Sequence, residues 1–178
     1  MKFANNIKLT LFLVGALWIL HFTSSYLPIG GFLQGIQPRR VDGVSGILTA
    51  PLIHGNLQHL IANSGALFVL LLVSLSYSRR FTLRALTVII LVGGSLVWLL
   101  ATPGTVHIGA SGVVFGLIGF LIFSGIFRKD WHALIISLLV GFLYGGALFS
   151  LLSYSPGVSW SSHFFGFISG IFAAWLVR

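Results

Sequence analysis

The sequence predicts an all-α, polytopic membrane protein with six spans. Three observations carry this. Of 178 residues, 57% are hydrophobic and 7% charged, whereas soluble domains carry roughly 25% charged residues. Apolar runs long enough to cross a bilayer recur along the whole chain. The basic residues fall in the short breaks between those runs and at the ends. One bundle, residues 1–178, accounts for the whole length, with no separate soluble domain, linker or low-complexity tail. The net charge of +8 therefore speaks of membrane topology and not of nucleic-acid binding. Cysteine is absent, which excludes disulfides, thiol catalysis and thiolate metal sites.

The first span is predicted over residues 8–27, broken by Pro28-Ile29-Gly30-Gly31. Its basic start and apolar run lack a convincing small-residue cleavage site, so it reads as a retained helix. A loop to about Leu52 follows and contains Pro38-Arg39-Arg40-Val41-Asp42-Gly43. It is too polar and glycine-rich to span, and residues 47–53 are placed in the interface. The second span covers 57–76, and residues 77–84, with three arginines, form a short basic turn. The third covers 85–101 and leads to the loop Thr102-Pro103-Gly104-Thr105. The fourth covers 110–127 and ends at Arg128-Lys129-Asp130. The fifth covers 133–152, a turn occupies 153–157, and the sixth covers 159–177.

Orientation follows from the basic residues, which favour the cytoplasmic side. With the N-terminus inside, Lys2, Lys8, Arg79, Arg80, Arg84, Arg128, Lys129 and Arg178 are cytoplasmic and only Arg39 and Arg40 are outside. An N-in, C-in topology results. Spans two, four and six then run inward from the outer surface. His59 and Asn63 fall in the first turns of span two, Ser111 in the first turn of span four, and His163 near the start of span six. All four share one depth near the outer leaflet, although lysine and arginine alone set the topology. Ionisable residues inside a membrane mark functional sites by default.

Ser111 lies in Gly109-Ala110-Ser111-Gly112, where a helix begins. First-turn N–H groups lack intrahelical partners, so a serine there has a ready oxyanion site. The same stretch also reads as a packing face, since Gly112, Gly116 and Gly119 let another helix approach. His163, Gly166 and Gly170 share one face of span six. Two glycine faces allow the close approach that a Ser–His pair needs. Taken alone, His163 reads as a hydrogen-bonded packing histidine. The only acidic residues, Asp42 and Asp130, lie in loops, so a serine nucleophile here works in a dyad without a carboxylate. A buried imidazole stays neutral, the form that accepts the serine proton. His59 and Asn63, four apart on one face, supply two donors for a developing oxyanion. Metal binding fits poorly: His54 and His59 are five apart and no carboxylate is near. No metal and no cofactor is expected. His21, His107 and His132 read as interfacial or loop residues.

The ordered set His54, His59 and Asn63, then Gly109-Ala110-Ser111-Gly112, then His163, Gly166 and Gly170, in three alternate spans, resembles the rhomboid family of intramembrane serine proteases. The resemblance covers all six spans. It implies a compact bacterial-type six-helix bundle with a water-filled cavity open to the outside. It implies Ser111 as nucleophile and His163 as general base, with an oxyanion hole of His59, Asn63 and the Ser111 N–H. His54 takes a supporting role, as do Gly109, Gly112, Phe115, Gly166 and Gly170. Its partners would be transmembrane protein substrates in the lipid bilayer, in the bacterial inner membrane, with no nucleic acid. Three departures stand out. Phe115 replaces a tyrosine frequent four residues after the serine. Gly43-Val44-Ser45-Gly46 replaces a Trp-Arg pair in the first outer loop, and a Glu-Arg pattern after span two is missing. The rival functions are an inactive rhomboid-like protein that binds membrane helices, and a small channel or transporter. The first typically lacks the serine or histidine, and the second wants an acidic or paired charge within a span.

Overall fold

The structure, a computed structural model, describes residues 2–26, 33–152 and 158–177. The predicted breaks at 28–31 and 153–157 lie outside the described residues. Helix α1 covers Lys2–Tyr26, α2 Gly46–Thr49, α3 Leu57–Val88, α4 Gly94–Leu100, α5 Ser111–Arg128, α6 Trp131–Leu148 and α7 Trp160–Leu176. A π-helical turn, Ile89–Gly93, joins α3 to α4. Among the described residues the β pairing is a lone antiparallel bridge between Ile36 and His107. The chain is an all-helical bundle.

Among the described residues, four segments are long and apolar enough to cross a membrane: Lys2–Ser24, Leu57–Leu100, Ser111–Arg128 and Trp131–Leu151. Leu57–Leu100 has 44 residues, about 65 Å if straight, against a hydrocarbon core of about 30 Å. It therefore holds spans two and three. The break falls at Ser78, whose φ of −161° and ψ of 107° are extended. Its hydroxyl accepts from the Phe81 N–H at 3.4 Å, capping the restarted helix as an N-cap serine does. A buried hydroxyl pair, Ser74–Thr82 at 2.7 Å, closes the bend. The predicted basic turn over 77–84 is thus a one-residue kink, with Arg79, Arg80 and Arg84 on helix. Arginine has good helix propensity, so charge alone did not break it. Helix α1 likewise starts at Lys2 and not at residue 8, because Asn6 is buried and donates to the Leu75 carbonyl at 3.0 Å.

Helix α5 is the central element. Of its apolar window 61% is buried, against 11% for α1 and for α6. Leu117, Ile118 and Phe120 of α5 are fully enclosed, packed with Leu60, Leu70 and Leu71 of α3 and Ala173 and Ala174 of α7. Three helices carry side-chain N-caps: Asn56 for α3, Asp130 for α6 and Ser159 for α7. The end of α5 touches the end of α7, where Arg128 donates to the Val177 carbonyl at 2.9 Å. The Asn6–Leu75 bond likewise ties the start of α1 to α3.

The first outer loop does not float despite lacking the Trp-Arg pair. The Arg39 N–H donates to the Trp98 carbonyl at 2.9 Å, and the Arg39 guanidinium to the Ala101 carbonyl at 3.0 Å. The Trp98 indole returns a bond to the Arg40 carbonyl at 2.9 Å. Ile36, Ala50, Val97 and Ala101 form a small separate core beneath the loop. Residues 46–49 form a short helical turn packed against α4, and Ala50–Leu52 a second one packed against α1 and α5.

Candidate functional site

Ser111 is the first residue of α5, and His163 lies in the first turn of α7. What brings these two turns together is the missing side chains of glycine. A Cβ on Gly112 would meet the Ser162 carbonyl oxygen at 3.3 Å. One on Gly166 would strike the Gly112 backbone, and one on Gly170 the Gly116 backbone. Gly119 closes the seam against the Phe167 carbonyl. The two helices therefore meet backbone to backbone, with the first turn of α5 against the first turn of α7. No hydrogen bond joins Ser111 and His163 among those formed by the described residues. His163 is buried, and its Nδ1 has no partner. Phe115, one turn along α5 from Ser111, stacks on the imidazole with ring centres 4.2 Å apart and planes at 14°.

The opposite wall comes from α3 and the loop before α5. Gly109 has φ of +107°, a conformation open to glycine and rare for other residues. A side chain there would also fall 2.6 Å from the His59 ring and 3.7 Å from the Asn63 amide nitrogen. Gly109 thus lets the serine loop lie directly against His59 and Asn63. The Asn63 amide nitrogen is buried with no hydrogen-bond partner. A buried, unspent donor is costly unless something accepts from it. His54 holds the same loop: its Nε2 accepts from the Ala110 N–H at 3.3 Å. It also meets the His59 ring edge-on at 5.1 Å. Burial, and secondarily the nearby His59, push the His54 imidazole down to about 4, so it is neutral at pH 7 and free to accept.

No carboxylate reaches this cluster. Asp42 is exposed and paired with Arg40 at 2.6 Å. Asp130 sits beyond the far end of α5, where its carboxylate accepts from the Tyr77 hydroxyl at 2.9 Å. Of the residues singled out from sequence, Gly109 lies against His59 and Asn63, His54 meets His59 and the Ala110 N–H, Phe115 stacks on His163, and Gly112, Gly166 and Gly170 line the seam between α5 and α7, at whose outer end Ser111 opens α5. His107 is the residue that sequence reasoning passed over. It lies in a loop, as expected, but is 7% exposed and hydrogen-bonded through both ring nitrogens. Its place four residues before Ser111 was the one signal available.

A membrane-embedded helical bundle whose fourth span opens on Gly-Ala-Ser-Gly, facing a histidine on the sixth, defines the rhomboid class. The chain belongs to the rhomboid family: residues 42–178 match its Rhomboid domain. It is 41% identical over 155 residues to an uncharacterized protein of Mycobacterium tuberculosis (strain H37Rv), covering 82% of this chain and 64% of that relative. An uncharacterized Mycobacterium leprae (strain TN) protein is 40% identical over 154 residues, 81% of this chain and 60% of its own length. A Bacillus subtilis (strain 168) protein carrying a provisional rhomboid-protease name, YdcA, is 28% identical over 139 residues, 73% of this chain and 65% of its own. The chain thus spans less than two thirds of the length of these relatives.

Proposed function

We propose that the protein is an intramembrane serine endopeptidase that cuts transmembrane segments of other membrane proteins near their outer ends. The observation that carries this is the glycine seam between α5 and α7, which brings the Ser111 and His163 turns together beside an unspent buried donor, Asn63. In this reading His163 takes the proton of the Ser111 hydroxyl as the oxygen attacks the scissile carbonyl carbon. The resulting oxyanion accepts hydrogen bonds from the Ser111 N–H, His59 and Asn63. The C–N bond then breaks, and His163 returns its proton to the leaving amine. Water, activated by the same imidazole, hydrolyses the acyl-serine to release the carboxylic acid and restore Ser111. His163 works without a carboxylate partner, since both aspartates are engaged elsewhere. The hydrogen bond of the dyad forms when substrate closes the cleft, since such bonds are often loose in free enzymes. We place the protein in a bacterial inner membrane, with the cleft facing outward.

The test is labelling by a serine-reactive phosphonate together with cleavage of a reporter transmembrane substrate in detergent. Wild type is expected to label and cut. Ser111→Ala should do neither, and His163→Ala should stop cleavage. Asn63→Ala should lower turnover by roughly 10- to 1000-fold, the range for one oxyanion donor. Full cleavage by folded Ser111→Ala would remove the mechanism. An inactive helix-binding protein, the rival reading, would leave wild type unlabelled.

A further inference from the structure

His107 is placed where three parts of the molecule meet, and each is held by a different part of it. Its backbone pairs with Ile36 of the first outer loop through two hydrogen bonds of 2.9 Å. Its Nε2 lies 2.8 Å from the Thr105 hydroxyl, which itself donates to the Thr102 carbonyl at 2.6 Å. Its Nδ1 lies 2.6 Å from the Ser159 hydroxyl. Ser159 is the N-cap of α7: its oxygen accepts from the Ser162 N–H at 3.3 Å and lies 2.7 Å from the Ser162 hydroxyl. The Ser159 carbonyl accepts from the His163 N–H at 3.2 Å. Ser162, in turn, is the residue whose carbonyl abuts Gly112. One unbroken chain of contacts therefore runs from the loop before Ser111, through the His107 ring, to the backbone of His163.

We infer that His107 is a positioning residue: through Ser159 it fixes the first turn of α7, and so the approach of His163 to Ser111. The inference rests on the proposed Ser–His chemistry. Glycine seams set how close two helices lie but leave them free to slide and rotate, because glycine offers no side chain to lock register. The Phe115 stack has the same freedom, since flat rings slide over one another. The His107–Ser159 bond is directional and ties the α7 cap to the segment that carries Ser111. Without it, His163 would shift relative to Ser111 while the bundle stayed assembled. A misplacement of about 1 Å at a reacting centre costs on the order of 100-fold in rate.

The two arms of the ring can be separated by substitution. Asparagine presents a polar atom near the position of Nδ1, and glutamine near that of Nε2. His107→Asn should keep the Ser159 arm and His107→Gln the Thr105 arm. We expect His107→Ala and His107→Gln to lower kcat about 10- to 100-fold, the scale of a small misplacement, with KM within about twofold. His107→Asn should recover most of that loss. Ser159→Ala, which also loses the α7 cap, should lower kcat at least as far as His107→Ala, and the double variant should be no worse than Ser159→Ala alone, since the His107 arm is already gone. Amide hydrogen exchange, read on the same variants, does not depend on turnover. The Ser162 and His163 N–H groups should exchange roughly fivefold faster or more in the Ala and Gln variants and near wild-type rates in Asn. Wild-type kcat in His107→Ala, a loss confined to KM, or unchanged exchange in α7 would each overturn the inference. So would Gln rescuing as well as Asn. If wild type itself fails to cut, the peptidase reading falls, and the exchange pattern still decides whether His107 holds α7.

Discussion

In the proposed site, single side chains divide the work by what each can donate or stack. Phe115 offers only a ring, and that ring lies on His163 at 4.2 Å. Such aromatic contacts are worth about 0.5–1.5 kcal/mol beyond area burial. Phe115→Tyr should keep turnover near wild type, because the ring is preserved, whereas Phe115→Ala should lose at least about 10-fold by freeing the imidazole. Turnover per folded molecule checks this, and the assignment fails if the Tyr variant is the more damaged. His54 gives a pH dependence. Its folded value of about 4 lies below its ordinary 6.5 because burial disfavours the cation. The unfolded chain therefore binds the extra proton in that window, so stability is full above roughly 6.5 and is lost as pH falls toward 4. Thermal midpoints in detergent should drop between pH 7.5 and 5. His54→Gln, which can still accept from the Ala110 N–H but does not titrate, should flatten part of the slope. His107 is also pushed down by burial and supplies a remainder. His54, His59, Asn63, Ser111 and His163 stand out in the chain as candidates because polar residues are expensive in apolar spans. His107 does not, since a loop histidine is ordinary until its partners, Ser159 and Ile36, are known.

At the level of helices, the seam between α5 and α7 is the least forgiving contact. A Cβ on Gly170 would press into the Gly116 backbone, with its carbonyl carbon only 2.8 Å away. Backbone atoms buried in two helices cannot step aside as a side chain can. Gly170→Ala should therefore separate the helices, lower the thermal midpoint in detergent and cut turnover together, and Gly170→Leu should do so more severely. Overpacking of this kind costs typically 1–3 kcal/mol. Unchanged stability in Gly170→Ala would mean the seam is looser than its geometry. Six spans and their order were legible from hydropathy and basic residues. Two features were not. The break between spans two and three shrinks to Ser78, because the arginines there keep their helix propensity and the Ser74–Thr82 pair closes the bend. The π turn Ile89–Gly93 packs against α7, where a Cβ on Gly93 would sit 2.8 Å from the Ser169 hydroxyl, a contact no periodicity encodes. The first outer loop likewise took its anchors, Trp98 and Ala101, from residues far along the chain.

Across the whole molecule, the proposed chemistry and the mechanical closure sit at opposite ends of α5. Ser111 opens that helix and Arg128 closes it, about 25 Å apart at 1.5 Å per residue. Arg128 is a clasp. Its guanidinium lies 3.8 Å from the centre of the Phe81 ring and 5.5 Å from that of Tyr77, both on α3. It also donates to the Val177 carbonyl just past α7. One side chain thus gathers the three helices that carry His59 and Asn63, Ser111, and His163. A charge-assisted hydrogen bond and two cation–π contacts at a partly buried site are together worth about 1.5–3 kcal/mol. Arg128→Met keeps the apolar stem but loses the charge and the fork. It should lower the thermal midpoint by several degrees, at roughly 2–4 °C per kcal/mol for a chain of this size. Sites separated by more than about 10 Å without shared partners act independently, so turnover per folded molecule at low temperature should stay within about twofold of wild type. The measurement is a melt in detergent beside a cleavage assay held well below the variant's midpoint. If turnover falls as steeply as stability does, the inner clasp and the outer cleft are coupled through α5, and the separation of the two ends is wrong.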